Sequence, residues 1–565
     1  MKFSDMPYVH PDISKTVQKL EALTQQAAGS ASGEELLSVF GEYSGIIDEA
    51  HTAHTLCMIR HTIDTRDAFY DKENDYFDAQ APLVEDRVLG LYRALLASPH
   101  SAALAEKHGD ILPQKLEIAV KSSDERLIQL QQEENALGTR YEKLYASARI
   151  PFLGKELTVA QLAPYKQNPS RDTRKAAFEA EGVFFDSNRE ELDEIYDKLV
   201  QNRTKQAKEL GFESFTPLGD IRMERLGYTR RDIGACRKAV QQGMVPFARK
   251  LKERQAVRIG VPSLCYYDDP LAFADGNPTP GGTPEEILEA GRKMYRALSP
   301  ETAEFIDGMM ESECFDVLAK PGKAPGGYCT YLPGFQTPFI FSNFNGTAGD
   351  VDVLTHEAGH AFAAYLAAKQ SLPGELRSPG LESCEIHSMS MEFLTADFHE
   401  LFFGPDTAKY AVSHAEDTLF FMPYGCQVDE FQECVYNEPH LSPAQRNELW
   451  LELEARYRPW NNFEQLPFYA RGAGWQRQIH IYGSPFYYID YVLAQAVALQ
   501  FFLAHNRDPK DAWTRYLALA RKAGTESYTG LVHAAGLQTP FEEGAMLAAG
   551  EEVYRWVCQR LEESF

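Results

Sequence analysis

The sequence predicts a mainly α-helical protein with a small β-sheet. Apolar residues recur at three- and four-residue spacing, with charged residues between them, along most of the chain. Proline and glycine are concentrated at 268–284 and 320–327, which indicates loops within one region and not domain linkers. Two short runs of β-branched and aromatic residues follow the second loop and are typical of strands.

The helical pattern is clearest in the first half of the chain. The predicted helices are 34–54, 85–96, 114–132, 171–210 and 229–258. The stretch around 150–165 interrupts this pattern, and we predict that an N-terminal helical region, 1–160, ends there and a second region, 161–565, begins. A chain of 565 residues is long enough to bury several cores.

The two predicted strands are 326–334 and 337–345. A further helix is predicted around the sequence His-Glu-Ala-Gly-His at 356–360, because its flanks contain good helix formers with no glycine or proline beyond Gly359. A second amphipathic helix is predicted from Glu385 onwards, after a turn-rich stretch at 371–380.

The His-Glu-Ala-Gly-His segment carries the strongest chemical signal. Residues four apart share a helix face, so His356 and His360 can bind one cation while Glu357 lies beside the open coordination position. Zinc lowers the pKa of a bound water to about 7, and an adjacent carboxylate can take its proton during attack on a carbonyl. The pattern therefore predicts zinc-assisted hydrolysis. The alternative, a core helix with two hydrogen-bonded histidines, would make Glu357 costly to bury.

The third metal ligand must come from outside this helix. Ala363 and Leu366 stand where the HExxHxxGxxH pattern has glycine and histidine, so a third histidine is excluded there. A glutamate at the thermolysin-like spacing would fall on Gly380, which has no side chain. The nearest acidic residues are Glu375, Glu382, Glu385 and Glu392.

These residues resemble the thimet oligopeptidase and oligoendopeptidase F family of zinc peptidases. In that family the third ligand is a glutamate at the distance that separates Glu385 from His360. The resemblance implies one zinc ion per chain, bound by His356, His360 and Glu385, with Glu357 as the general base. Glu392 lies on the same face as Glu385, where it could accept the second ring N–H of a ligand histidine or remain a solvated glutamate.

His387 points away from that face, and we interpret it as structural. Cys329 and Cys384 lie near the site in sequence, where a reactive thiol or, more simply, a buried inert one would fit. All nine cysteines are dispersed, which predicts reduced thiols and no disulfide framework.

A second cluster lies at 480–491. Hydrolysis builds negative charge on the former carbonyl oxygen, and donors already aimed at that point lower the barrier. The family carries a histidine, a glycine-containing loop and several tyrosines in the same order. Because the loop is shorter here than in thimet oligopeptidase, the role of each tyrosine stays open, with core packing as the alternative. The resemblance implies catalytic roles for His480, Tyr487, Tyr488 and Tyr491, and a substrate-binding role for Tyr482.

The Gly-Gly-Tyr-Cys sequence at 326–329 is similar to a Gly-Ala-Tyr/Phe-Cys segment of the oligoendopeptidase F branch. An edge strand beside the metal can hold an extended peptide, so Gly326, Gly327 and Tyr328 are candidate substrate-binding residues. The resemblance covers residues 326–491. It implies a two-lobed helical ellipsoid with a deep central channel that admits short peptides, and it makes 161–565 the catalytic zinc metallopeptidase region.

Composition excludes other classes. The chain is 44% hydrophobic and 24% charged, as in a soluble globular protein, and its net charge of −26 argues against nucleic acid and anionic membrane as partners. The sequence shows no secretory h-region and no apolar stretch long enough for a membrane span, so we expect a cytoplasmic protein, either a monomer or a small homo-oligomer.

The sequence therefore predicts an endopeptidase that hydrolyses internal bonds of short peptides. A metallocarboxypeptidase is the main alternative; it needs a cation to bind the free terminal carboxylate, and Arg471 and Arg477 are candidates. A non-catalytic peptide-binding protein is the other alternative, but binding alone would not need Glu357.

Overall fold

The computed structural model describes residues 1–463 and 466–564 and is mainly helical, as the sequence predicts. Six helices form its N-terminal part. They are α1 (Ile13–Gly29), α2 (Gly33–Ile63), α3 (Ala68–Ala97), α4 (Ala102–His108), α5 (Ile111–Ser122) and α6 (Ile128–Ala146).

The middle of the chain contains helices that alternate with short connections. They are α7 (Ala163–Lys166), α8 (Arg171–Ser187), α9 (Arg189–Glu209), α10 (Phe215–Arg222), α11 (Arg230–Gly243), α12 (Val245–Arg258), α13 (Pro284–Leu298) and α14 (Pro300–Ser312).

The last part carries the longest buried helices. Its helices are α15 (Gly349–Ala368), α16 (Gly374–Arg377), α17 (Leu381–Leu394), α18 (Glu400–Phe403), α19 (Thr407–Asn437), α20 (Pro443–Tyr457), α21 (Pro467–Ala470), α22 (Ile479–Gly483), α23 (Tyr488–Arg507), α24 (Pro509–Ala520), α25 (Tyr528–Ala534) and α26 (Ala545–Ser564).

Three of the predicted helices are each two helices in the structure. The helix predicted at 114–132 breaks where the Asp124 side chain accepts a hydrogen bond from the backbone N–H of Arg126 and starts a new turn. The second breaks at Asn188, whose side chain bonds back to the Phe184 carbonyl. The third breaks at Met244, just before Pro246 in the first turn of α12. The apolar spacing continues across each break, so periodicity alone did not reveal them.

Within residues 1–463 and 466–564, the β-structure comprises a hairpin and a three-stranded sheet. In the hairpin, β1 (Ile150–Phe152) pairs antiparallel with β2 (Lys155–Leu157). The sheet contains β3 (Phe315–Leu318), β4 (Tyr328–Leu332) and β5 (Thr337–Phe344) in the order β3-β5-β4, with β3 parallel and β4 antiparallel to β5. The two predicted strands are confirmed as β4 and β5. The short strand β3, which contains Asp316, was not predicted.

The packing of α17 positions the site. This helix lies between α15 and α23 and is buried along almost its whole length. A smaller apolar cluster joins α1–α5 to Leu376, whereas α6 and the end of α2 pack into the main core. None of the described helices is both long and apolar enough to cross a bilayer. The region boundary near residue 160, the two lobes and the deep channel stay predictions.

Candidate metal and catalytic site

Helices α15 and α17 come unusually close at Gly359. A Cβ on this residue would lie 2.5 Å from the backbone oxygen of His387 and 2.7 Å from the Cα of Ser388. Any larger side chain would therefore push the two helices apart. The close approach places Glu385, on α17, against the face of α15 that carries His356 and His360.

These three side chains form a cluster with ligand geometry. The Nε2 atoms of His356 and His360 lie 3.2 and 3.3 Å from Oε2 of Glu385. Two ligand atoms bound to zinc at tetrahedral angles are about 3.3–3.4 Å apart. The group is also the one set of three or more potential metal-ligating side chains found among the described residues. Its donor chemistry and spacing fit a zinc ion.

Hydrogen bonds to neighbouring side chains hold this cluster in place. His356 Nδ1 donates to Glu392 at 2.8 Å, which leaves Nε2 free to bind a metal, and the other Glu392 oxygen contacts His414 Nε2 at 2.7 Å. The Glu385 carboxylate accepts hydrogen bonds from Ser388 and Tyr487. Burial alone would raise the pKa of Glu385, but the nearby imidazoles hold it well below its usual value.

Glu357 lies beside the cluster and is buried. Its Oε2 atom has no hydrogen-bond partner among the described residues. Burial raises the pKa of this carboxyl group. Gly327 makes room for it, because a Cβ at that position would lie 3.2 Å from Oε1 of Glu357. A carboxylate with a free oxygen and a raised pKa is suited to accept a proton.

A cavity of about 660 Å³ opens onto the cluster. One of its walls is β4, whose outer edge is not paired with another described strand. The predicted site residues that line it are Gly327, Tyr328, His356, Glu357, His360, Glu385, His480, Tyr487 and Tyr491.

His480 is oriented by a chain of hydrogen bonds. Tyr424 donates to the Gln478 side-chain oxygen at 2.8 Å, so the amide nitrogen faces His480 Nδ1, 2.7 Å away, and donates to it. The ring proton then lies on Nε2, 3.2 Å from the Tyr491 hydroxyl. Burial lowers the pKa of His480 to about 4, which keeps the ring neutral at pH 7. His480 can therefore donate a hydrogen bond from Nε2 without carrying a charge.

Three of the predicted site residues, Gly326, Tyr482 and Tyr488, do not line this cavity. The Tyr482 ring is fully buried behind the cavity wall, stacked on Tyr141 at 3.9 Å. Tyr488 packs its ring against Tyr424 and does not line the cavity. Gly326 forms a turn, with φ of +85°, and does not line this cavity either. The roles predicted for the three residues stay predictions.

The two arginines considered for a carboxypeptidase are engaged outside the cavity. Arg471 pairs with Asp186 at 2.5 Å, and Arg477 pairs with Glu181 at 3.2 Å. Neither lines the cavity. The arginine that does line it is Arg377, which the sequence interpretation missed because nothing in its local pattern distinguishes it.

The cavity also contains the two cysteines and His387. Burial raises the pKa of the Cys384 thiol to about 12 and that of Cys329 well above its usual value, so both stay protonated. All nine cysteines are free. His387 lines the cavity but lies outside the ligand cluster, and burial lowers its pKa to about 3. His414 was also missed, since it lies in another helix, α19, and reaches the site only through the fold.

Known proteins match the chain over most of its length. The profile of the peptidase M3 N-terminal domain matches residues 3–123, and that of peptidase family M3 matches 301–547. A Pz peptidase A solved with an inhibitor and a protein assigned as an oligoendopeptidase F are each 45% identical, with 99% of both chains covered and a TM-score of 0.97. Another protein assigned as an oligoendopeptidase F, from Bacillus anthracis, is 42% identical over 99% of this chain and 98% of its own, with a TM-score of 0.92. No curated protein matches significantly.

Proposed function

Because this chain belongs to peptidase family M3 and is a metalloendopeptidase, we propose that it is a zinc-dependent oligoendopeptidase that cleaves internal bonds of short peptides. One observation carries the proposal. The cluster of His356, His360 and Glu385 has the spacing of zinc ligands, and it opens onto the same cavity as Glu357, a buried carboxylate with an unpartnered oxygen.

His356, His360 and Glu385 would hold the zinc. When bound, zinc supplies a Lewis acid that polarises a carbonyl and lowers the pKa of a coordinated water. The hydrogen bond from His356 Nδ1 to Glu392 fixes the ring orientation and raises its basicity as a ligand.

Glu357 accepts the proton of the attacking water at Oε2 and passes it to the nitrogen of the leaving amine. Burial favours this exchange because it raises the pKa of the carboxyl group towards neutral pH. The same residue can then act first as a base and afterwards as an acid.

His480 and Tyr491 donate hydrogen bonds to the oxygen on which negative charge develops. Nε2–H of His480 and the Tyr491 hydroxyl lie together on the cavity wall, and neither carries a charge at pH 7. Tyr487 contributes a further hydroxyl donor from beside Glu385, to whose carboxylate that hydroxyl donates in the structure. Preorganised donors of this kind account for a large share of barrier reduction in acyl transfer.

The free edge of β4 binds the peptide backbone in extended form. Gly327, Tyr328 and the residues up to Tyr331 line the cavity along this edge, next to Glu357. Main-chain hydrogen bonds would hold the peptide independently of its side chains, which suits an enzyme with broad sequence tolerance.

The test is cleavage of a doubly blocked, internally quenched peptide of about eight residues, followed by mass analysis of the products. We expect internal cleavage that a chelator abolishes and zinc restores, because an endopeptidase needs neither terminus free. Cleavage limited to peptides with a free C-terminus would favour the carboxypeptidase instead. Binding without cleavage would favour a peptide-binding protein.

We also expect a cytoplasmic protein that acts as a monomer or small homo-oligomer without a nucleic-acid or membrane partner. Cell fractionation and light scattering on the purified protein would check these expectations. Recovery in the membrane fraction, or a particle mass by light scattering that rises when nucleic acid is added, would contradict them.

A further inference from the structure

The cavity wall carries a single arginine and no lysine among its described lining residues. That arginine is Arg377, the last residue of α16, and its guanidinium is charged at every physiological pH. The other ionisable groups on the wall, outside the candidate site, include the carboxyl group of Glu142. The whole chain carries a net charge of −26. Outside the candidate metal site, a carboxylate on a bound peptide therefore has Arg377 as its one cationic side-chain partner within the described wall.

Arg377 already holds a carboxylate. Its Nη1 and Nη2 atoms each donate to one oxygen of Asp48, on α2, at 2.8 Å. This two-pronged geometry is the one that arginine uses to bind carboxylates in general. The pair is only partly buried, with 28% and 30% of the two side chains exposed. Asp48 itself does not line the cavity, so Arg377 lies between an internal carboxylate and the space a peptide would occupy.

The backbone around Arg377 is fixed without help from Asp48. Lys115 donates to the carbonyl oxygens of Glu375 and Ser378 at 2.9 Å each. The Glu375 carboxylate in turn accepts the hydroxyls of Tyr43 and Tyr92 at 2.9 and 2.7 Å. Arg377 can therefore exchange one carboxylate for another by moving its side chain alone. The segment before α17, the helix that carries Glu385, stays in place.

Arg377 also lies near one end of the peptide-binding edge. Tyr331, near the end of β4, lines the cavity and lies within electrostatic reach of both Arg377 and Asp48. A peptide extended along β4 past the candidate metal site would reach the guanidinium beyond Tyr331. Gly327 lies beside Glu357, and Tyr331 is four residues further along the strand, roughly 13 Å away. Arg377 would therefore act at a subsite and not at the reacting bond.

We propose that Arg377 is a specificity-determining residue that releases Asp48 and binds a carboxylate of the peptide substrate. The inference rests on the proposed function. Either the C-terminal carboxylate or an aspartate or glutamate side chain supplies this chemistry, since both present the same two oxygens.

The experiment uses matched quenched peptides with the full-length zinc-loaded protein. One peptide is neutral and blocked at both ends. A second differs from it only by a free C-terminal carboxylate. Two further pairs of blocked peptides compare glutamate with glutamine, one pair near the N-terminus and the other near the C-terminus. We expect KM to be about tenfold lower for at least one carboxylate peptide than for its neutral partner, since one charge-assisted contact has that size. The peptide that shows the effect identifies the source of the carboxylate.

Two variants test the residue assignment in opposite directions. Arg377→Gln should abolish the preference, whereas Asp48→Asn should strengthen it by about threefold, because the competing carboxylate is removed. If the pair were only a structural link between α2 and α16, both variants would lower activity on all peptides alike. Arg377→Lys keeps the charge but not the fork, should retain part of the preference, and decides the question if Arg377→Gln does not fold.

Arg471 and Asp186 provide a matched control, since this pair has similar exposure, 28% and 33%, but lies outside the cavity. Arg471→Gln and Asp186→Asn should leave the preference unchanged. Calorimetric binding of the same peptides to zinc-loaded Glu357→Gln protein separates this inference from the proposed function, because it needs no turnover. Equal affinity for carboxylate and neutral peptides, or a preference that survives Arg377→Gln, would overturn the assignment. Absence of cleavage with the binding preference intact would count against the proposed function alone.

Discussion

Two regions meet in the same cavity but are built by different rules. The ligand pocket, formed by His356, His360 and Glu385, takes its side chains from two regular helices, α15 and α17. Within each helix, regular helix geometry sets which residues share a face. The aromatic segment, 480–491, runs from α22 through a turn into α23. Phe486, within that turn, has φ of +67°, a conformation that side-chain-bearing residues rarely adopt. Its N–H donates to Gln432, and its carbonyl accepts from Arg225.

The contrast shows where local spacing is sufficient to position a side chain. On α15 the four-residue interval alone places two imidazoles on one face. In the aromatic segment the backbone path depends on partners from distant helices, so adjacent tyrosines face different surroundings. Tyr487 and Tyr491 line the cavity, whereas Tyr488, between them, packs against Tyr424. Each prediction below changes one side of this comparison.

The largest effect is expected from Glu385→Gln in the ligand pocket. An amide is a poor replacement for a carboxylate ligand, and the hydrogen bonds from Ser388 and Tyr487 would also be weakened. We expect loss of bound zinc after dialysis and loss of turnover to background. Metal analysis and peptide cleavage on the same sample check this, and a fully metallated, active variant would remove Glu385 from the ligand set.

The next effect separates the tyrosines of the aromatic segment. Tyr491→Phe should lower kcat by about 10² with zinc content unchanged, as for loss of one oxyanion donor. Tyr488→Phe removes an equal hydroxyl from a residue that does not line the cavity, so kcat should stay within about twofold. Steady-state kinetics on the two variants provide the comparison, with each acting as the control for the other. Equal losses would mean that the hydroxyls act through the fold.

A smaller effect is expected outside the ligand set, at Glu392. Glu392→Gln keeps the shape but weakens the charge-assisted bonds to His356 and His414. Changes of this kind typically cost about 10–100-fold in metal affinity. Competition with a chelator of known affinity measures it. An unchanged zinc affinity would show that the orientation of His356 is held by helix packing alone.

The smallest effect concerns Glu382, a buried carboxyl group one turn before Glu385 on α17. Burial, together with the nearby charge of Asp490, raises the pKa of Glu382 to about 8. The folded state therefore holds a proton that the unfolded state releases above about pH 4, so this group lowers stability as pH rises from about 4 to about 8. Glu382→Gln removes that penalty.

We expect Glu382→Gln to raise the melting temperature of the metal-free protein by roughly 2 °C at pH 8. At pH 5 the wild-type carboxyl group is already protonated, so the gain should be much smaller there. Calorimetry at the two pH values makes the comparison, and an equal shift at both would rule out this titration as the cause. Glu385, whose pKa is shifted the opposite way by two imidazoles, shows that burial alone does not decide the sign.

The sequence was informative where local spacing or a family motif specifies the geometry. The helical class, the strands β4 and β5, and the meeting of His356, His360 and Glu385 were all predicted. Helix breaks such as Asn188 were missed, because apolar periodicity continues across them.

The rest depends on tertiary contacts. The sequence did not indicate that Tyr482 and Tyr488 lie outside the cavity lining, since only the packed fold decides which aromatic rings face a cavity. Arg377 and His414 were missed, because each reaches the site from an element whose own pattern is ordinary. Nothing in the sequence near Arg377 distinguishes it from the arginines that pair elsewhere.

The most direct test of the central claim measures zinc content and turnover of Glu357→Gln together. In the proposed mechanism His356, His360 and Glu385 bind the metal, and Glu357 transfers the proton. We predict one zinc per chain, unchanged from the wild type, with cleavage of the blocked peptide reduced by about 10³ or more. Substantial turnover by the zinc-loaded variant would contradict the account, and so would loss of zinc, since Glu357 would then belong to the metal site.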